Sequence, residues 1–359
     1  MLNFALSEEQ EQFRQLAHEF AANEIRPVAA ELDVQEKFPQ ELMKEAFEIG
    51  LMNCHVPEAY GGMGLGTLEE CLIAEELGWG CTGVGTSIIC NTLAEAPVIV
   101  AGNEAQKKKF LGQMTEEYSF CSYCVTEPAA GSDVQNLQTT AKKVGNDFVL
   151  NGQKIWITNA GHAKWFFVLA YTDKSKGYKG LSGFVVPAET EGVQVDKKEP
   201  KLGQRCSDTR SVSFSDVVVP AENMLGKEGD GWKGAMAAFD HSRPVVASLA
   251  VGLARAAMEY AIEYATERKT FGVPIAAHQG IGFMIAEMAR DVEAARLLVR
   301  QAGWTIDQGR RNTLQAAYAK LSAADTAMKV ATDAVQVYGG YGFSREYPVE
   351  KLMRDAKIF

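Results

Sequence analysis

The apolar positions of this chain change their period twice. From residue 7 to about 117 they recur at helical spacing, with Leu16, Phe20 and Ile25 in one stripe and Leu42, Ala46, Ile49 and Leu51 in another. A Gly-rich stretch, Tyr60-Gly-Gly-Met-Gly-Leu-Gly66, interrupts the helices. It lacks the spacing of a dinucleotide loop and follows no clear strand, so it predicts a turn with close backbone packing. From about 118 to 228 short alternating segments take over: Phe166–Leu169, Gly183–Val186, Val193–Asp196 and Ser211–Val219, separated by turn clusters such as Asp173–Gly177. Within them Phe148–Leu150 and Gln153–Trp156 flank Asn151-Gly152, a hairpin signal. From about 229 helical runs return, with Pro244 at a helix N1 position, Ser242 as a possible cap, and Ala-rich periods that stop at Gly339-Gly340. The expected fold class is α+β: an N-terminal helical domain (1–117), a central antiparallel β-domain (118–228) and a C-terminal four-helix-type bundle (229–359) that is expected to be incomplete.

Composition narrows the classes. At 359 residues the chain exceeds a single core, and 47% apolar with 23% charged residues is ordinary for a globular protein. A net charge of −10 with no basic stripe beyond Lys107–Lys109 argues against nucleic acid, and no run reads as a membrane span. The acidic start, Met1 to Gln10, is unlike a signal or transit peptide, which predicts a cytosolic or already processed chain. Seven cysteines without framework spacing suit a reducing compartment. Cys121-Ser-Tyr-Cys124 falls on a predicted strand, where residues three apart face opposite ways, so no metal site is expected. The five histidines (18, 55, 162, 241, 278) are too scattered for ligand spacing, and no Walker loop, HExxH or GxSxG occurs.

Two motifs carry candidate chemistry. Tyr123 to Asp133 and Trp156 to Asn159 supply Thr126, Gly131-Ser132, Trp156 and Thr158, groups suited to holding a flat heteroaromatic ring by its edge. Trp156 and Thr158, two apart on a strand, share a face.

Six motifs in order resemble the acyl-CoA dehydrogenase family: Thr126–Asp133, Trp156–Thr158, Glu267-Arg-Lys-Thr-Phe-Gly272, His278-Gln279, Gln336-Val-Tyr-Gly-Gly340 and Arg354–Lys357. Asn103 with Lys109, Ala237–Asp240 and Tyr347–Lys351 lean toward its medium-chain branch. The resemblance implies FAD-dependent α,β-dehydrogenation of acyl-CoA thioesters to enoyl-CoA. It places FAD against Tyr123, Val125, Thr126, Gly131, Ser132, Trp156, Ile157 and Thr158, with Thr158 near the hydride-accepting N5. Arg268, Thr270, Phe271, Gln279, Gln336, Gly339 and Gly340 would grip the pyrophosphate and adenine across a subunit boundary, which implies at least a dimer and usually a tetramer. Ser132, Asp240 and Arg243 would contact the CoA thioester. Electron transfer flavoprotein is the implied acceptor. The implied location is the cytoplasm in a bacterium or the mitochondrial matrix in a eukaryote.

The acyl slot is expected to be wholly apolar, because Gly85 and Ile89 stand where medium-chain relatives carry two polar residues. The family's usual base, a Glu, follows the segment that ends here at Phe359, and the other family position for it carries Ser242. The expectation is a truncated dehydrogenase whose base lies after Phe359. The alternatives are a base-less FAD and acyl-CoA binder, an acyl-CoA oxidase, whose added helical domain this length would not hold, or a purely structural helical protein.

Overall fold

The computed structural model describes residues 4–359. Six helices come first: α1 (Glu8–Phe20), α2 (Ala29–Gln35), α3 (Gln40–Glu48), α4 (Thr67–Ile89), α5 (Asn91–Ala101) and α6 (Glu104–Glu116). Reciprocal capping boxes start α1 and α6. Ser7 Oγ accepts from the Gln10 N–H at 3.1 Å while Gln10 Oε1 accepts from the Ser7 N–H at 2.9 Å, and Asn103 and Gln106 do the same. The Gly-rich stretch is the expected tight turn. A Cβ added at Gly62 would sit 1.9 Å from the Val56 carbonyl oxygen.

Eight strands form one twisted sheet: β1 (Phe120–Cys124), β2 (Thr140–Val144), β3 (Asp147–Thr158), β4 (Ala163–Tyr171), β5 (Leu181–Pro187), β6 (Val193–Val195), β7 (Thr209–Pro220) and β8 (Met224–Leu225). The order is β6-β7-β3-β2-β4-β5-β8, with β1 beside β4. The sheet is mixed rather than antiparallel throughout, because β1 runs parallel to β4 and Thr140 of β2 bridges Tyr171 in parallel. Cys121 and Cys124 do face opposite cores.

The expected hairpin at Asn151-Gly152 is not there. β3 runs straight through it, and the reversal lies at Gly145-Asn146, where Val144 pairs Asp147. Tertiary contacts claim the dipeptide instead. The Asn151 amide donates to Asp216 Oδ1 at 3.0 Å and accepts from the Asp216 N–H at 2.9 Å. A Cβ at Gly152 would lie 2.3 Å from Thr139 Oγ1, so only glycine fits this bulge against β7.

One buried ion pair ties β3 to β4 and to the chain leaving β1. The Lys154 side chain, fully buried, donates to Glu127 Oε1 (2.8 Å), Leu169 O (2.7 Å) and Val125 O (3.2 Å). Glu127 also accepts from the Gln138 and Thr139 N–H groups and from the Thr139 hydroxyl. Burial alone would raise the Glu127 carboxyl, but Lys154 and Thr139 outweigh it and hold it below its ordinary range. Burial lowers Lys154, with Glu127 opposing. All three ammonium hydrogens are used.

The second helical half is α7 (Gly231–Glu267), α8 (Gln279–Asp307), α9 (Thr313–Tyr338) and α10 (Val349–Ala356). Pro244 does not start a helix; it lies inside the 37-residue α7, and Ser242 caps nothing. A proline there strips the carbonyl four residues back of its donor. That carbonyl, Asp240 O, accepts instead from Asn312 Nδ2 at 3.1 Å. α7 is also long and apolar enough to cross a membrane, unlike the expectation, but 67% of that stretch is buried inside the protein. It crosses α4 backbone to backbone: a Cβ at Gly78 would be 2.4 Å from Leu249 O, and one at Gly252 would be 2.0 Å from Glu75 O.

Histidines scattered in sequence meet where α4, α5 and α7 converge. Glu70 takes His55 Nδ1 at 3.2 Å and His241 Nε2 at 2.9 Å, and His55 Nε2 lies 3.2 Å from Glu95. Burial pushes the His55 imidazole down, but the charge of Glu70, with Cys54 and Glu95, leaves it well above its ordinary value.

Two outcomes follow from these buried charges. Lys154→Met should destabilise the protein by about 3–5 kcal/mol in chemical denaturation, because it strands the Glu127 carboxylate, and an unchanged midpoint would refute the pin. His55 binds its proton more tightly folded than unfolded, so its contribution is complete below about pH 6.5 and is lost as pH rises through the raised value. Unfolding free energy measured against pH should fall there by up to about 1.4 kcal/mol per pH unit, and His55→Gln should flatten that limb.

Candidate functional site

The irregular end of β3 creates the site. Between Lys154 and Ile157 the register with β7 slips, and Trp156 takes a left-handed backbone (φ 60°), uncommon for so bulky a residue. The slip turns the indole outward, 58% exposed, while Ile157 returns to the core. Thr158 emerges beside Thr209, its partner in β7. Strict alternation would have put Trp156 and Thr158 on one face. The bulge, rather than simple strand period, is what leaves both of them accessible. Alongside, the Ile155 N–H donates to Thr126 O at 2.9 Å and draws the chain leaving β1 against this edge.

Thr158 opens onto a cavity of about 180 Å³. Its apolar wall is Ile89, Leu93, Val245, Val246, Leu249 and Phe359; Thr86, Thr92, Gln204, Thr209 and Ser242 add polar atoms, and Lys201 the single charge among the described residues. The expectation of a wholly apolar slot is therefore corrected. Ile89 lines it as expected. Gly85 does not: Leu249 Cδ2 occupies the place of its missing Cβ at 2.7 Å, so that glycine serves helix packing.

A second, open groove of about 430 Å³ gathers Arg268 and Thr270 with Gly339 and Gly340, far apart in sequence but adjacent here between the ends of α7 and α9. The Arg268 guanidinium lies 5.5 Å above the Tyr341 ring. Thr270 Oγ1 is 3.1 Å from His278 Nε2. Gly339 ends α9 with φ 60°, and a Cβ at either glycine would meet nothing within 4 Å. Phe271 stands almost fully exposed, and Gln279 and Gln336 are exposed at the start of α8 and the end of α9. The two cavities share no lining residue.

The other sequence-derived positions divide. Val125 and Ile157 are core side chains, so only their backbone can meet a ligand. Tyr123 stacks on Phe167 (5.1 Å between centroids) and donates to Ala235 O, packing α7 on the sheet. Gly131 and Ser132 are exposed on the loop held by Glu127. Asp240 and Arg243 do not line the cavity; they pair with each other at 2.7 Å, and Asp240 also accepts from Thr313 Oγ1 at 2.6 Å.

Sequence reasoning missed the segment between β6 and β7, which brings Lys201, Gln204 and Ser207 to the cavity beside Thr209, the first residue of β7. No periodicity marks it. Gln204 has φ 47°, its Oε1 accepts from Thr86 Oγ1 at 2.9 Å, and its buried Nε2 has no partner among the described residues. An unspent donor on the same wall as Thr158, with an exposed indole two residues earlier on β3, suits a flat ring with acceptors on its edge. The residues present therefore fit a flavin.

Comparison with known proteins agrees. Models of the acyl-CoA dehydrogenase N-terminal, middle and C-terminal domains match residues 7–117, 122–217 and 229–359. The chain is 46% identical over 361 residues to a probable medium-chain specific acyl-CoA dehydrogenase 2, mitochondrial, of Caenorhabditis briggsae, covering 100% of this chain and 88% of that one. The structure of butyryl-CoA dehydrogenase from Megasphaera elsdenii superposes with a TM-score of 0.97 at 42% identity, covering 99% of this chain and 94% of that one. The prolyl acyl carrier protein oxidase AnaB gives 0.95 at 29% identity, again covering 99% and 94%. An oxidase of a carrier-protein-bound substrate therefore shares this fold at nearly this chain length. From its three matched domains and its close structural likenesses, this chain belongs to the acyl-CoA dehydrogenase family of FAD-dependent oxidoreductases.

Proposed function

We propose that the protein removes hydrogen from Cα and Cβ of an acyl-CoA thioester, giving the trans-2-enoyl-CoA. The observation that carries this reading is Thr158: one hydroxyl, freed by a bulge beside an exposed Trp156, at the wall of a cavity otherwise mostly apolar. Bound FAD would supply the acceptor for the Cβ hydride. The chain's residues do the rest. Thr158 and Thr126 would donate hydrogen bonds to the ring edge, and Trp156 would cover its flank. Ile89, Leu93, Val245, Val246 and Leu249 exclude water from the acyl chain and orient it by burial of apolar surface. Exposed Ser132 would meet the thioester side. No Asp or Glu lines the cavity among the described residues, and Ser242 there is too weak a base for an α-proton. Ile358 and Phe359 line the same wall, next to the position where the family pattern carries its Glu.

The groove of Arg268, Thr270, Gly339 and Gly340 suits a pyrophosphate, since a guanidinium fork and open glycine backbone both accept one. It lies apart from the ring site, which favours service to a neighbouring subunit. Exposed Phe271, Phe283 and Phe343 on this half support an oligomer, with a tetramer and electron transfer flavoprotein as the family's pattern.

Purified protein that carries the family's Glu after Phe359 should show flavin absorbance that bleaches on anaerobic addition of octanoyl-CoA. Colourless protein after incubation with FAD would sink the reading; flavin that stays oxidised would favour a base-less binder, and rapid reoxidation by dioxygen an oxidase. Thr158→Ala should slow flavin reduction about fivefold in stopped flow, the equivalent of one hydrogen bond of about 1 kcal/mol, with the melting curve unchanged. Equal rates would remove Thr158 from the ring edge.

A further inference from the structure

Lys201 is the one charged side chain lining the cavity, and it pairs with no carboxylate among the described residues. Its ammonium donates to Ser207 O at 2.5 Å and to Thr209 Oγ1 at 3.1 Å. Thr209 is the direct register partner of Thr158. The charge is therefore tethered within one residue of the hydroxyl assigned to the ring edge.

The surroundings do not neutralise it. Asp208, the carboxylate in the same segment, accepts from Arg210 Nε and from the Gly161 N–H, each at 2.8 Å. Lys198 donates to the backbone carbonyls of Glu36 and Arg205 and adds a second positive charge. The Cys206 thiol is buried against the neighbouring helices. Burial and Lys198 push Lys201 down to about 8, with Cys206, Asp208 and Glu36 opposing. Holding an unpaired, partly desolvated cation costs folding free energy, which makes such a group at a cavity wall a candidate for meeting a ligand's negative charge.

We propose that Lys201 is the countercharge to the reduced cofactor: its ammonium, fixed beside Thr158 and Thr209, stabilises the negative charge that hydride transfer leaves on a flavin ring. The inference rests on the flavin reading of the cavity. The balance is simple. The substrate gives up an α-proton to a base and a Cβ hydride, one proton with two electrons, to the ring. The ring, neutral when oxidised, thereby gains one negative charge. A cation within roughly 4–6 Å favours such a charged form on the order of tenfold or more.

The test is the flavin midpoint potential of the FAD-loaded protein, followed spectroscopically from about pH 7 to about pH 10. Below about pH 8 Lys201 is charged in both states, and reduction takes up one proton per two electrons. Above that value reduction should recharge Lys201, so the uptake, and with it the slope of potential against pH, should about double. Lys201→Met should keep the single-proton slope throughout and shift the equilibrium at neutral pH on the order of tenfold toward oxidised flavin. Lys201→Arg, which does not titrate in this range, should keep the neutral-pH potential and lose the bend. A purely structural lysine would move none of these. A straight wild-type profile, or potentials in Lys201→Met equal to wild type, would overturn the proposal while leaving the flavin reading intact. Wild-type protein that binds no FAD would overturn both. If Lys201→Met does not fold, the wild-type profile against that of Lys201→Arg decides.

Discussion

The sheet edge that carries Thr126, Trp156 and Thr158 depends on a single buried ammonium. Lys154 reaches from β3 to the backbone of β4 and, through Val125 and Glu127, to the chain leaving β1, so three segments share one charge. Glu127 passes that restraint on to residues 138 and 139 and thereby closes the loop that carries Gly131 and Ser132. Neither group touches the cavity. Their value lies in specificity of arrangement: a buried pair with every donor satisfied tolerates little displacement, whereas either partner alone would be an uncompensated charge in a dry interior.

The helical halves work by another means, close approach. Gly78 on α4 and Gly252 on α7 let two backbones touch where any side chain would separate them. That contact brings Ile89 and Leu249 to one wall and places Glu70 against His241. Around it Glu75 and Glu76 draw in Arg14, Arg255 and Arg296 from three other helices, while Arg26 lies between the rings of Trp79 and Tyr260. The cavity is thus a product of two interfaces, one of helix against helix and one of helix against sheet. No single element contains it.

Local signals succeeded where the chain acts locally. Ser7 and Asn103 cap helices because the partner is three residues away, and Gly339 ends α9 through its own dihedral angles. They failed where a distant group outbid the local preference. Asn151-Gly152 would turn in isolation, but Asp216 and Thr139 hold it straight. Pro244 would start a helix, but Asn312 supplies the hydrogen bond it removes, and α7 continues. His55 and His241, 186 positions apart by their numbers, are joined through Glu70 in a way no spacing rule detects.

Residue types and their order were enough to indicate the family: Thr126, Trp156, Thr158, Arg268 and the Gly339-Gly340 pair are unusual in combination, and combination is a property of the chain itself. Their accessibility was not. It took the β3 bulge to turn Trp156 outward, the helix crossing to enclose a mostly apolar cavity, and the irregular segment after β6 to set Lys201 at its wall. Composition and period are summed over neighbours in sequence, so they report which elements form and which groups are available. Charge compensation, cavity shape and the direction a side chain faces are summed over neighbours in space, and those are settled only when the chain has packed.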